Sequence, residues 1–147
     1  MTRGKRFAIA SSVAFSSAAA TAPAAEAQQP LKIFISVDME GISGVGSPAM
    51  TSTGGKDYAI SRRNMTRELN TVIGAILRRE PDAEILVNDS HGDHQNVLHS
   101  DLNPAAQYIQ GSIKPLGMVQ GLDGSFDGAI FVETFRLLRE RGTDARA

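Results

Sequence analysis

The stretch 34–41, Phe-Ile-Ser-Val-Asp-Met-Glu-Gly, decides the fold because an apolar run ends there in two carboxylates. Residues 31–37 are nearly continuously apolar and rich in β-branched side chains, which is typical of a strand covered on both faces of a parallel sheet. Carboxylates seldom follow a buried strand so closely unless a partner offsets the cost of their desolvation. Asp38 and Glu40 are therefore the first candidates for a functional site.

A second strand is predicted after one long helix. Residues 57–79 carry apolar side chains at helical spacing, and Pro81 marks the end of that pattern. Residues 84–87, EILV, then begin a strand that runs directly into NDSHGDH. A strand, a helix of about 22 residues and a second strand form a βαβ unit, in which the two strands are parallel.

Two further strands are predicted, a weakly indicated one at 106–109 and a clearly apolar one at 128–132, GAIFV. The alternation of strands with a helix favours an α/β fold. We expect a three-layer α/β/α sandwich with a mostly parallel sheet. The long loop 38–55 is rich in Gly, Ser and Thr, and loops of this length inside compact domains are often functional.

The carboxyl ends of the first two strands bring candidate metal ligands to one edge of the sheet, where ligands usually bind. The first strand delivers Asp38 and Glu40, and the second delivers the segment 88–91, NDSH, which ends in His91. Taken singly, an aspartate here is often a turn former, a glutamate is usually solvated, and a histidine can be a loop residue. Together, two carboxylates and one imidazole outline a metal site with oxygen and nitrogen ligands.

Four segments, in this order, resemble the D-aminopeptidase family of zinc metallopeptidases: KIFISVDMEGISG, YAISRRNMTRELNTVI, ILVNDSHGD and GSIKPLGMVQGLDGSFDGAIFV. They occur at family-like spacing and cover residues 31–132. The resemblance implies a two-zinc hydrolase that removes D-amino acids from the N-terminus of short peptides. It also implies that the full-length family members assemble into homo-oligomers.

The resemblance carries roles over to the matching residues of this chain. Asp38 would bridge two zinc ions, Glu40 would bind one of them, and His91 would bind the other. Cations beside a desolvated strand end allow such a carboxylate to remain ionised. Hydrogen bonds to these ligands are expected from the loop after the second strand. The candidates for them are Asn88, Asp89 and Ser90.

The resemblance is lost after Val132. The family continues with a turn like GYHA, whose histidine is a further zinc ligand, whereas Phe135 occupies that position here and cannot bind zinc. The second half of the family domain is either replaced here by the unlike, Arg-rich tail or lies beyond Ala147. We therefore expect a truncated or frame-disrupted product, with at most a partial zinc site and little or no peptidase activity.

The first 27 residues have the order of a secretory signal peptide. A basic start precedes an apolar run at 7–20, which at about 14 residues is shorter than the about 20 needed to span a membrane, and Ala25-Glu26-Ala27 follows. This order predicts cleavage after Ala27 and a periplasmic or secreted protein, not held in the membrane after cleavage. An uncleaved anchor and a disordered leader are the alternatives. The expected division is a signal peptide at 1–27, the metallopeptidase-like part at 28–132 and a divergent tail at 133–147.

Composition narrows the remaining alternatives. The chain has a formal net charge of -1, and its basic residues are dispersed outside the signal peptide and the far C-terminus, so no nucleic-acid surface is predicted. It has no cysteine, which excludes disulfides and thiolate metal sites.

An apolar strand followed by Asp-x-Glu-Gly also resembles the nucleophile strand of magnesium-dependent phosphotransferases, so a magnesium-dependent phosphoester hydrolase is one alternative. A non-catalytic remnant that binds metal is another.

Overall fold

A computed structural model describes residues 29–133. The predicted signal peptide, and the tail beyond Glu133 with Phe135, lie outside this range. The described elements are the strands β1 (Lys32–Val37), β2 (Glu84–Asp89), β3 (Ala106–Ile109) and β4 (Gly128–Val132), the helices α1 (Pro48–Thr51) and α2 (Tyr58–Arg79), and the 3-10 turns Met39–Gly41, His99–Asp101 and Gly117–Val119.

The four strands form one sheet in the order β3-β2-β1-β4, and every neighbouring pair is parallel. The predicted α/β fold with a parallel sheet is therefore confirmed. The apolar strand β1 has a neighbour on each side, which agrees with its continuous burial from Phe34 onward. In the register, Val37 lies opposite both Asp89 of β2 and Val132 of β4. The segments that follow these three strands therefore leave the sheet at the same level.

The long helix α2 covers one face of the sheet. Because side chains alternate along a strand, Ile35 and Val37 point to this face together. They pack in one cluster with Met65, Leu69 and Ile73, which recur every four residues on α2 and are fully buried. The apolar stripe read from the sequence is thus the surface that fixes α2 against the sheet.

The opposite face carries the connection between β3 and β4. The ring of Phe34 packs edge-on against Phe126 with centroids 5.8 Å apart. The buried amide of Asn88 donates hydrogen bonds to the main-chain carbonyls of Gly117 and Met118, which holds the 3-10 turn onto the sheet. Over residues 29–133, this face is covered by loop and a single 3-10 turn.

No helix among residues 29–133 is both long and apolar enough to cross a membrane.

We expect Leu69→Ala to lower the free energy of unfolding by about 2–5 kcal/mol, because a fully buried side chain beneath the sheet would leave a cavity. Urea denaturation monitored by circular dichroism measures this change. The control is Ile113→Ala, which truncates a side chain that is 96% exposed and should change the free energy by less than about 0.5 kcal/mol. Equal losses in the two variants would contradict the placement of α2.

Candidate metal centre

The end of β1 places two carboxylates at the edge of the sheet. The main-chain N–H of Asp38 donates to the carbonyl of Val132 at 3.0 Å, which extends the pairing of β1 with β4 by one residue. The side chain of Asp38 then accepts from the main-chain N–H of Met39 at 2.7 Å and caps the following 3-10 turn. Met39 is fully buried, so this turn is anchored in the core while Asp38 and Glu40 remain at the edge.

The end of β2 places His91 beside these carboxylates. The main-chain N–H of Ser90 donates to the carbonyl of Val37 at 2.8 Å and carries the β1–β2 pairing past Asp89. The chain then reverses in a turn closed by the N–H of His94, which donates to the carbonyl of His91 at 2.8 Å. Gly92 and His94 both have positive φ, at 53° and 61°, and such backbone suits glycine much better than histidine.

One imidazole nitrogen faces both carboxylates. Nδ1 of His91 lies 2.9 Å from Oδ1 of Asp38 and 2.8 Å from Oε2 of Glu40. The ligand atoms of these three residues all lie within 4.8 Å of one another. The structure therefore brings together the three residues that the sequence predicts as metal ligands, from positions up to 53 apart in the chain.

The second imidazole nitrogen is held by the main chain. Nε2 of His91 lies 2.7 Å from the carbonyl oxygen of Thr51, which can only accept a hydrogen bond. In the neutral imidazole, a proton on Nε2 leaves the Nδ1 lone pair available to a metal ion. Without a metal, a second proton on Nδ1 can form the hydrogen bonds to Asp38 and Glu40. Histidines that bind metals usually donate their other ring N–H to a carbonyl or carboxylate in this way. Thr51 lies in α1, so the long loop after β1 helps to orient the imidazole.

The charges of this group are strongly coupled. The hydrogen bond with Asp38 raises the pKa of His91 to about 9 against the effect of burial, and the Thr51 carbonyl and Glu40 add to the increase. Burial opposes the ionisation of Asp38, but hydrogen bonds with His91, Glu40 and the Met39 amide outweigh it and lower the pKa of Asp38. Burial and the neighbouring Asp38 raise the pKa of Glu40. A proton and a metal ion would therefore compete for the same three side chains.

The three candidates for supporting hydrogen bonds differ in where their bonds run. Asn88 donates to Oγ of Ser90 at 3.0 Å, and Oγ of Ser90 lies 2.6 Å from Oγ of Ser36 in β1, so these bonds lie on the face opposite α2. Asp89 is fully buried, and its Oδ1 accepts from the main-chain N–H of His91 at 3.4 Å. Of the three, Asp89 is the one whose side chain bonds to a predicted ligand residue among the bonds seen in residues 29–133.

The other two histidines of the chain have different surroundings. Nδ1 of His94 lies 2.9 Å from the carbonyl oxygen of Asp89, and the ring of His99 stacks on Tyr108 with centroids 6.2 Å apart. The chain has three histidines in all, and His91 is the one in the ligand group. Glu133, at the limit of the described residues, has its pKa raised by burial and by the charge of Asp38. Its carboxyl group is not within the ligand group.

A cavity of about 510 Å³ adjoins the group. Glu40 and Thr51 form part of its wall, and the rest comes from the loop residues Val45, Gly46, Ser47 and Pro48. The sequence indicated a functional loop here but gave no sign of Thr51, because the atom that matters is a main-chain oxygen. A second residue without a sequence signal is Asn96, whose side chain donates to the carbonyl of His91.

In the metal-free protein, we expect the raised pKa of His91 to stabilise the fold below pH 6.5, its ordinary value, and to lose this effect as the pH rises through about 9. Histidine NMR signals followed against pH in the presence of a chelator measure the pKa directly. Asp38→Asn should bring it back toward the ordinary value, because its largest cause is removed. A pKa of His91 near 6.5 in the unmodified chain would contradict the charge arrangement.

Comparison with known proteins identifies the family of this chain and agrees with its fold. Residues 31–134 match the model of the D-aminopeptidase family, peptidase family M55. A curated D-aminopeptidase of Bacillus subtilis (strain 168) is 41% identical over 102 residues, which are 69% of this chain and 37% of that protein. A solved structure, "Zn-dependent D-aminopeptidase DppA from Bacillus subtilis, a self-compartmentalizing protease", is also 41% identical, with a TM-score of 0.67 over 69% of this chain and 37% of its own. This chain thus spans little more than a third of the length of these relatives, and it belongs to the D-aminopeptidase family.

Proposed function

We propose that Asp38, Glu40 and His91 form part of a zinc centre for the hydrolysis of short peptides that begin with a D-amino acid. The observation that carries the proposal is the position of the His91 imidazole. Its Nδ1 faces two carboxylates at 2.8–2.9 Å, while its Nε2 is bonded to the carbonyl of Thr51. Membership of the D-aminopeptidase family supports the reaction, and the names of the relatives support zinc and the D-configuration.

The donor set fits zinc better than magnesium. Zinc accepts imidazole nitrogen together with carboxylate oxygen, whereas magnesium prefers oxygen ligands alone and keeps several waters. Zinc would be held by Asp38 as the shared ligand, with Glu40 and His91 as the further ligands. Bound zinc would supply Lewis-acid chemistry at a peptide carbonyl. The chain itself orients the ligands, through the Thr51 carbonyl for His91 and the Met39 amide for Asp38.

The cavity beside Glu40 supports a small substrate. Its volume of about 510 Å³ falls within the usual range for small-molecule sites, about 300–1,000 Å³. The side chain of Glu40 is 55% exposed against 23% for Asp38, so Glu40 is the more accessible carboxylate. We infer that the loop residues 45–48 contact the amino-terminal residue of a short peptide.

We propose further that activity of this chain is impaired. It has no cysteine, and of its three histidines His91 is the one in the ligand group, so a complete two-zinc site would need further carboxylates. One imidazole and two carboxylates over the described residues give a weakly held, partial site. Zinc content below two ions per chain and slow turnover follow from this ligand count.

Two proposals concern the setting of the protein. The basic, apolar and small-residue order of positions 1–27 supports export to the periplasm or the exterior. The description of the related solved structure as self-compartmentalizing supports a homo-oligomer. Export is tested by the N-terminal sequence of the protein recovered from its host, which we expect to begin at Gln28. Formation of a homo-oligomer is tested by light scattering of the mature chain.

The central test measures zinc binding to the mature chain by calorimetry, together with cleavage of D-alanyl-D-alanine and L-alanyl-L-alanine in the presence of zinc. We expect zinc to bind and Asp38→Asn to weaken binding by about tenfold or more, because the proposed bridging ligand is lost. Any cleavage should favour the D-peptide. The control is Asp127→Asn, which alters a carboxylate that accepts from the main-chain N–H of Lys32 at the start of β1, and this variant should bind zinc normally.

Unchanged zinc affinity in Asp38→Asn would contradict the ligand assignment. Magnesium-dependent cleavage of a phosphoester without peptide cleavage would replace the peptidase by the phosphoester hydrolase. Zinc binding without cleavage of either peptide, even with excess metal, would leave a non-catalytic metal-binding remnant.

A further inference from the structure

Asn96 lies five residues after His91 and forms hydrogen bonds to His91 and to Asp89, the last residue of β2. Asn96 is 1% exposed, and its side-chain amide donates to the carbonyl of His91 at 2.5 Å and to Oδ1 of Asp89 at 2.9 Å. Its main-chain N–H donates to Oδ2 of Asp89 at 2.5 Å. Asn96 therefore ties the turn back to the end of β2.

Asn96 is also bonded to the N-terminal part of α2. Its side-chain oxygen accepts from the hydroxyl of Tyr58, and its main-chain carbonyl accepts from Nε of Arg62 at 2.8 Å. Both amide hydrogens and the amide oxygen of Asn96 are thus used, each by a different group. Such a fully satisfied buried polar network is rigid and specifies one arrangement. The helix that packs on the core therefore has a direct link to the His91 turn.

The main chain of His91 is held at both of its polar groups. Its N–H is directed to Oδ1 of Asp89 at 3.4 Å, and its carbonyl accepts from the N–H of His94 and from the side chain of Asn96. His94 has a positive φ, which is uncommon for a residue other than glycine, and the bonds from Asn96 and Asp89 help to hold this turn. With the main chain of His91 fixed, its side chain leaves from a fixed point.

Positioning of this kind matters because metal ligands must meet within fractions of an ångström. Nδ1 of His91 lies within 2.9 Å of Oδ1 of Asp38 and within 2.8 Å of Oε2 of Glu40. Rotation of the His91 main chain would move the imidazole away from both carboxylates and from the Thr51 carbonyl. Partners that orient a metal-binding histidine are commonly worth about 10- to 100-fold in metal affinity.

We propose that Asn96 is a positioning residue that couples α2 to His91 and holds the imidazole in the geometry for metal binding. The hydrogen bonds from Asn96 to His91 and Asp89 carry out this role, and Tyr58 orients the amide of Asn96. The metal-affinity part rests on the zinc site proposed above, whereas the orientation of the imidazole can be measured in the metal-free chain.

The first measurement uses the mature chain without metal, labelled with ¹⁵N-histidine. We expect the unmodified chain to give a slowly exchanging Nε2–H signal of His91, protected by its bond to the Thr51 carbonyl. Asn96→Ala should broaden or abolish this signal while the main-chain amide signals of β1 and β2 persist. Retention of the signal in Asn96→Ala would overturn the proposal.

The second measurement is zinc affinity by calorimetry, which should fall by about tenfold or more in Asn96→Ala. The matched control is Asn70→Ala. Asn70 also bonds α2 to the connection between β2 and β3, through the Asp101 carbonyl at 2.7 Å and the Asn103 N–H at 2.8 Å, but these groups lie far along that connection from His91 and do not bond to it. Asn70→Ala should lower the melting temperature yet leave zinc affinity and the Nε2–H signal unchanged. An equal loss of affinity in both variants would show general destabilisation and would overturn the proposal.

Tyr58→Phe keeps the test decisive if Asn96→Ala does not fold, because it removes only the hydroxyl that donates to Asn96. We expect faster exchange of the Nε2–H signal and a smaller loss of zinc affinity than tenfold. Unchanged exchange in Tyr58→Phe would overturn the coupling from α2. Absence of zinc binding in every variant and in the unmodified chain would instead reject the zinc site, while the exchange measurement would still decide the role of Asn96.

Discussion

The register between β1 and β2 determines where this protein can carry chemistry. Val37 lies opposite Asp89, and the N–H of Ser90 continues the pairing by bonding to the carbonyl of Val37. The residues that follow both strands therefore leave the sheet at one level. A shift of either strand by one residue would send every side chain to the other face and would separate the carboxylates from the imidazole. The packing of Ile35 and Val37 on α2 opposes such a shift, so the apolar core and the polar site depend on the same alignment.

Much of this arrangement is predictable from the sequence because it follows from periodicity and from chain breaks. The apolar runs at 31–37 and 128–132, the helical stripe at 57–79 and Pro81 give the strands and α2 nearly at their observed bounds. β2 extends to Asp89, beyond the predicted apolar run 84–87, because pairing with β1 continues through polar residues. The 3-10 turn at Met39–Gly41 and the short α1 lie in a segment read only as a loop, since single turns have no periodic signature.

The candidate site also has features that the sequence predicts and features that it does not. The meeting of Asp38, Glu40 and His91 is predictable, because parallel strands deliver their following residues to a common edge. The directions of the Asn88 and Ser90 side chains are harder to predict from the sequence, because both amide and hydroxyl groups can bond to a metal ligand. In the structure they turn to the face away from α2. Asn96 lies five residues beyond His91 in a polar loop, where an asparagine carries no distinguishing pattern.

The bond between His91 and Thr51 has a consequence for how this site can vary among related sequences. The group that orients Nε2 is a peptide carbonyl, which every amino acid possesses, so replacing the side chain at position 51 does not by itself remove the bond. What the histidine requires is that the chain between β1 and α2 returns to the same place. Selection at this point would therefore act on insertions and deletions in that segment more than on its residue types. The orientation of the imidazole would depend on the length of the loop and much less on its side chains.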